Sequence, residues 1–472
     1  MNPFARLIFP SLRHRSRTGF AHEQPRIDVT LKLGVGGYIL FGGNAAAARK
    51  LSAQLQAASP HPLLIGSDFE RGGGQQMEGL THLPAAAALG FLNDEEIAAR
   101  CGSITALEAR SVGINWVYAP VADLDNEPDN PIVQTRSLGD DPERVGRLVQ
   151  SWVRAAERNG VIASAKHYPG HGRTTTDSHD SLPVVTTSLP ELEASDLQPF
   201  RWAVAGGVRS VMSAHVAYSA WDASGLPATL SPTILGYLRH ELGFTGLIVT
   251  DALIMEGALK GRGEAKACVE AVRAGCDALL YPVDSAKVAA ALQAEAERDD
   301  SFNARASQAV DAVRQMAEAV TVESTPPDLA EHRAFAAATA DMAMALLRGE
   351  SLNLRRPMLP VIVDDDVGGP YAVGPRDVFA KTLAAAKVRV GPGGSRVLLV
   401  YSEPRSWKGH ASLSAQSVTR INREVARSQL VVLFGHPRLL SRIPGNVPVL
   451  CAWHGQPLMQ EAAARWVVER LR

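Results

Sequence analysis

Short apolar runs recur along the first two thirds of the chain and alternate with Ala-rich amphipathic stretches. The runs read GGYILF (36–41), PLLIGSD (62–68), INWVYAPVAD (114–123), VIASAKH (161–167), VRSVMSAHV (208–216), GLIVTDAL (246–253) and CDALLYPVD (276–284). The stretches between them include 44–58, 95–111, 142–159 and 265–274. Runs that are apolar throughout, rather than at alternate positions, predict strands buried on both faces. Helices between such strands predict a parallel sheet covered on each side. With a first strand over 5–10, the pattern suits an α/β fold of the (β/α)8 TIM-barrel type.

The pattern changes near residue 285. Residues 286–320 are Ala- and charge-rich and read as helical, and the paired prolines of ESTPPDLAEH (323–332) read as a linker feeding a helix. Four further apolar runs follow at 359–366, 396–404, 429–437 and 447–455. The expected organisation is a barrel over 1–322, a linker and connecting helix over 323–345, and a smaller α/β layered domain over 346–472.

Polar residues that can do chemistry gather where the runs stop. Asp68, Asp123, the Lys166-His167 pair, His215 and Asp251 all lie at or just beyond a run's C-terminal end, the face on which a barrel carries its active site. The densest stretch is VIASAKHYPGHGRTTTDSHDSLP (161–183), where an apolar strand ends in a loop with three histidines. There His179 can give and take a proton near neutral pH, with Asp177 orienting it; a solvated polar loop is the plainer reading. His167, His171 and His179 also invite a metal site. Pro169 and Gly170 break the helix that would let the first two share an ion, so no metal is expected.

Two roles fit Asp251, which ends a wholly apolar strand: cap of a following helix, or nucleophile in a sugar pocket. A retaining glycosidase needs one group to attack the anomeric carbon and another to protonate the leaving oxygen. Asp68 can accept hydrogen bonds from sugar hydroxyls. Arg136 can bind a substrate oxygen or pair with Asp140 or Asp141.

Composition narrows the field. The chain is 46% hydrophobic and 21% charged with a net charge of −1, which gives no electrostatic reason to bind nucleic acid or an anionic membrane surface. No apolar run approaches transmembrane length, and the basic, proline-broken N-terminus lacks a secretory core. Four scattered cysteines, Cys101, Cys268, Cys276 and Cys451, suggest a reducing compartment and a cytoplasmic location. GVGG (34–37) and GPGG (391–394) lack the setting of a dinucleotide fingerprint and read as turns, so no cofactor is expected. The expected partner is a small carbohydrate, and nothing in the chain sets an oligomeric state.

SAKHYPGHG with its downstream DSH, followed by GLIVTDALIMEGAL, resembles the β-N-acetylglucosaminidase branch of glycoside hydrolase family 3. Residues 119–142 and 212–244, GVGGYILFGGN and LPAAAALG are similar too. The likeness covers 34–260 and extends to the tail in outline. It implies release of terminal β-linked N-acetylglucosamine, from peptidoglycan or chitooligosaccharide fragments, by retaining hydrolysis. By the same likeness Asp251 matches the nucleophile, and His179 the acid/base with Asp177 as its partner. Asp68, Arg136, Lys166 and His167 match positions that hold the non-reducing sugar. The neighbouring alternatives are a β-glucosidase or β-xylosidase, which the DSH loop opposes, and an N-acetylglucosaminide phosphorylase. The chain departs from the family where members read close to D-x-E-G-G-R-V-x-R: Gly73 and Gln76 replace the arginines, with Arg71 nearby. A catalytically weak sugar-binding homologue is therefore a further alternative.

Overall fold

The apolar runs become the strands of a curled parallel sheet. The computed structural model describes residues 2–178, 181–259, 261–320, 326–349, 352–369 and 373–471. By packing, the chain forms two units, one of Met1–Thr81, Asp94–Leu124 and Asp140–Leu329, the other of His82–Asn93, Asp125–Gly139 and Ala330–Arg472.

In the first unit β1 (Ile8–Phe9) and β2 (Ser11–Arg13) share one strand position, divided at Pro10, which has no N–H for the ladder. β3 (Gly37–Phe41), β4 (Leu64–Ser67), β5 (Trp116–Val117) and β6 (Ile162–Tyr168) follow. A small parallel ribbon of β7 (Val184–Val185) and β9 (Ala217–Tyr218) lies apart from the main sheet. β8 (Ser210–Ser213) and β10 (Leu247–Thr250) complete a seven-stranded parallel sheet in the order β10-β8-β6-β5-β4-β3-β2. β11 (Leu279–Leu280) then pairs with β1 through Ile8↔Leu279, while Ala278 bridges Val249 of β10. Those two links close the sheet into a barrel.

The helices outside it follow from local sequence. Pro142–Arg158 begins where the Asp141 side chain accepts the Arg144 N–H and Pro142 opens the first turn. It buries Val145, Leu148, Val149, Trp152, Val153 and Ala156, one face at helical spacing. The neighbouring helix Glu95–Ser111 approaches so closely that a Cβ at Gly102 would lie 2.3 Å from the Trp152 carbonyl oxygen. The stretch read as one helix over 286–320 is two, Ser285–Arg298 and Asp300–Ala319. The break is at Asp299, whose carboxylate accepts the N–H groups of Ser301 and Phe302 and so caps the second helix.

The second unit holds a five-stranded sheet of β12 (Ala345–Arg348), β13 (Met358–Asp364), β14 (Ser395–Ser402), β15 (Leu430–Gly435) and β16 (Val449–Cys451). Its order is β12-β16-β15-β14-β13, parallel except where β12 runs antiparallel to β16. One core cluster joins Leu398, Val400, Ile421, Val431, Leu433 and Val449. Two segments that lie between barrel strands in sequence pack into this unit. Gln456 donates from its side chain to the Leu83 carbonyl at 2.7 Å. At Asp125, the carboxylate meets Arg438 at 2.8 Å and His436 at 2.9 Å. No helix among the described residues is long and apolar enough to cross a membrane.

Candidate functional site

The polar residues of the first unit meet at the C-terminal ends of the barrel strands. β6 delivers Lys166 and His167, the loop after β4 brings Asp68, and Asp251 directly follows β10. Lys166 is only 3% exposed, with its Nζ 2.8 Å from Asp68 Oδ1 and 2.8 Å from Glu70 Oε1. A buried ammonium is tolerated here because two carboxylates flank it. Asp68 remains 29% exposed, which leaves it room to meet a ligand.

The second cluster is built on Asp123, whose side chain is fully buried. One carboxylate oxygen accepts the backbone N–H of His167 at 3.0 Å and that of His171 at 2.6 Å. The other is 2.7 Å from His167 Nδ1. Burial acts to raise the Asp123 carboxyl, but the charge and hydrogen bond of His167, with those of His171, outweigh it and hold the group below the usual carboxylate range. Nδ1 of His167 therefore donates to Asp123, and Nε2 points at Asp251 Oδ2, 3.9 Å away. The Asp251 side chain is 23% exposed, and its Oδ1 accepts the Ala252 N–H at 2.7 Å. No helix starts at Asp251: Glu256–Leu259 begins five residues on, so the capping role does not apply.

His171 is buried beside this pair and holds two hydroxyls, Thr174 Oγ1 at 2.9 Å and Ser178 Oγ at 3.0 Å. Burial pushes its imidazole down to about 4, against a partial lift from Asp123. It is thus neutral at pH 7, one nitrogen donating and the other accepting. The Ser178 backbone carbonyl accepts the Gly257 N–H at 3.0 Å, so the loop after β6 is pinned to the segment after Asp251. A Cβ on Gly257 would sit 2.9 Å from that Ser178 oxygen and 3.0 Å from the His215 carbonyl, a close approach that requires glycine. His215 Nε2 lies 3.2 Å from the Ala252 carbonyl and supports the backbone beside Asp251.

A histidine kept neutral by burial makes stability depend on pH. The unfolded chain binds the proton near pH 6.5 and the folded one only near 4, so stability falls as pH drops through that window. Between pH 7 and 4.5 the expected loss from His171 alone is roughly 2–3 kcal/mol. Urea unfolding of His171→Asn at both pH values should show a correspondingly smaller loss than the parent. Equal losses would show that His171 does not titrate in this way.

Asp68, Lys166, His167 and Asp251 are thus brought together in one unit. Asp177 is buried and close enough for its charge to act on His171. His179 lies outside the described residues. Arg136 ends the short 3-10 helix Gln134–Arg136 in the second unit, where its Nη1 donates to the Ile132 carbonyl at 3.1 Å. Asp140 pairs with Arg144 at 3.2 Å, and Asp141 caps the following helix. Glu70 had escaped the sequence reading; its one signal is a place two residues after Asp68 in the same strand-end loop. Asp123 and His215 carried the strand-end signal without a role, and His171 drew notice only as a metal ligand.

The departure at 68–76 has a steric side. A Cβ at Gly73 would lie 2.6 Å from Leu80 Cδ1, so a long side chain there requires Leu80 to move. The Gln76 side-chain oxygen accepts the Gly42 N–H at 3.3 Å, tying this loop to the end of β3. Among the described residues no group of three His, Cys, Asp or Glu side chains is arranged to hold a metal ion.

Residues 15–316 match the Glycosyl hydrolase family 3 N terminal domain. The chain belongs to glycosyl hydrolase family 3. It is by that membership a glycoside hydrolase. A β-hexosaminidase of Neisseria meningitidis serogroup C is 39% identical over 258 residues, 52% of this chain and 71% of that protein. A β-N-acetylglucosaminidase/β-glucosidase of Cellulomonas fimi is 34% identical over 263 residues, 54% of this chain. The match spans only 47% of that larger relative. The structure of a family 3 β-N-acetylglucosaminidase from Paenibacillus sp. str. FPU-7 superposes with a TM-score of 0.85 at 28% identity, covering 100% of this chain and 97% of that one. The second α/β unit is thus part of the shared architecture as well as the barrel.

Proposed function

We propose that the chain releases terminal β-linked N-acetylglucosamine by a retaining, two-step hydrolysis on its barrel, residues 1–322. Membership of the family supports glycoside hydrolysis, and relatives named β-hexosaminidases support the β-N-acetylhexosaminidase type. The observation that carries the mechanism is the partly exposed Asp251 carboxylate set 3.9 Å from a histidine that Asp123 holds in one orientation.

In the first step Asp251 attacks the anomeric carbon as the glycosidic C–O bond breaks, and His179, as imidazolium, gives its proton to the departing oxygen. In the second, water adds to that carbon as the bond to Asp251 breaks, and His179 takes the water's proton. Asp177 orients His179, while Asp68, Lys166 and His167 hold the sugar. Lys166, charged between Asp68 and Glu70, suits hydroxyl recognition: ammonium and carboxylates together offer donors and acceptors. Cell-wall fragments and chitooligosaccharides are the natural substrates of this reading, and peptidoglycan recycling in the cytoplasm its setting. Four buried, unpaired thiols fit that compartment.

The test is a panel of aryl β-glycosides assayed in phosphate and in an inert buffer. The expected result is turnover of the N-acetylglucosaminide above the glucoside and xyloside, equal in both buffers. Turnover that requires phosphate would make the chain a phosphorylase, and binding without turnover would make it a lectin-like homologue. With His179→Ala, breakdown of the glycosyl-enzyme should slow most and azide should partly restore the rate. Unchanged kinetics would remove His179 from the reaction.

A further inference from the structure

We propose that Arg13 binds a carboxylate carried by the leaving group, at a site on the barrel rim that is separate from the sugar pocket. The inference rests on the glycosidase reading above and specifies its substrate. Arg13 is the last residue of β2 and stands in register with Phe41, the last of β3. Tyr281 directly follows β11, and its backbone N–H donates to the Phe9 carbonyl at 2.9 Å. Three neighbouring strands of the barrel thus place these side chains side by side at its C-terminal face.

Their packing fixes the guanidinium. Its carbon lies 4.3 Å from the centre of the Phe41 ring and 5.4 Å from that of Tyr281. Nε donates to the Tyr281 hydroxyl at 2.6 Å. That bond uses the inner edge of the fork. Among the described residues the two terminal nitrogens have no hydrogen-bond or ion-pair partner, and they are the pair of donors that matches a carboxylate. Glu23 accepts the Arg13 backbone N–H at 3.1 Å and pairs with His22 and Arg26. Its charge weakens the site without closing it.

Tyr281 adds a second, independent observation. Its φ of +69° is the left-handed region, which a bulky side chain enters only where the surroundings impose it. Such conformations cluster at ligand sites. Tyr281 is level with Asp251, because the Leu280 N–H donates to Thr250 Oγ1 at 3.0 Å and Asp251 and Tyr281 follow those two residues. Phe9 pairs with Leu280, so Arg13 lies three residues, about 10 Å, further along its strand than the position opposite Tyr281, and two strand spacings of about 4.8 Å round the rim from Asp251. That separation suits a group on the aglycone rather than on the sugar being cleaved.

The experiment uses the full chain and a matched pair of aryl N-acetyl-β-glucosaminides that differ by one ring carboxylate. In Arg13→Met the ratio of kcat/KM for the acidic over the neutral glycoside should fall about tenfold, as expected for a partly exposed charge-assisted pair. Arg13→Lys should fall between, since it keeps the charge and loses the fork. A general loosening of the fold would lower both substrates and leave the ratio alone. An unchanged ratio in both variants overturns the assignment. Calorimetry with the non-cleavable thioglycosides makes the same comparison without turnover. Absence of cleavage then counts against the glycosidase reading alone, and equal affinities of parent and Arg13→Met count against Arg13 alone.

Discussion

Asp251→Asn should lower turnover of an aryl N-acetyl-β-glucosaminide by ~10⁴-fold or more, the scale seen when a covalent nucleophile is removed. The amide is nearly isosteric, and its oxygen can still accept the Ala252 N–H that Asp251 Oδ1 now accepts at 2.7 Å. Stability should therefore change far less than turnover, since the substitution opens no cavity. Loss of turnover with an unchanged melting temperature separates a chemical role from a structural one. A variant within tenfold of the parent would end the nucleophile assignment. Mass spectrometry of the parent with a slow 5-fluoro N-acetyl-β-glucosaminide should show one added sugar on Asp251, and none on the variant.

Asp123→Ala should have the largest effect on stability. Three donors converge on this fully buried carboxylate, the N–H groups of His167 and His171 and the His167 ring. Alanine leaves all three without the acceptor and beyond the reach of bulk water, a cost of about 3–5 kcal/mol. Asp123→Asn should cost less, about 1–2 kcal/mol, because its oxygen still serves the two backbone groups. Its NH2, however, faces His167 Nδ1. The ring must then accept there and carry its proton on Nε2, toward Asp251. Turnover should accordingly fall far more than stability in Asp123→Asn, whereas both fall in Asp123→Ala. Urea unfolding and steady-state kinetics on the two variants check this. Stability of the alanine variant within 1 kcal/mol of the parent would show that the cluster does not hold this end of the barrel together.

The barrel was legible because a strand buried on both faces must be apolar at consecutive positions, and runs such as GLIVT and VIASA are too short for helices of ordinary length. Strand ends were less legible. Of the run 114–123 Trp116–Val117 forms a strand and Val121 adds an isolated bridge to Lys166, and the division of the first strand at Pro10 follows ladder bonding. β12 carried no signal: Ala345–Arg348 is a half-exposed antiparallel edge that directly follows a helix.

Sequence by itself determined the alternation of strand and helix, and with it the face on which Asp68, Lys166, His167 and Asp251 must emerge, because side-chain burial is written at each position separately. It also marked the loop at 161–183, since clustered histidines and glycines contradict a buried strand. Only the tertiary structure decided how those groups pair. Asp123 reaches His167 across 44 positions and Lys166 reaches Asp68 across 98, distances that depend on the register between strands rather than on any local preference. The same holds for Arg13 on Tyr281, which become neighbours when the last strand closes on the first. Segments 82–93 and 125–139 likewise join the second unit through contacts such as Arg438 on Asp125, made 313 positions apart.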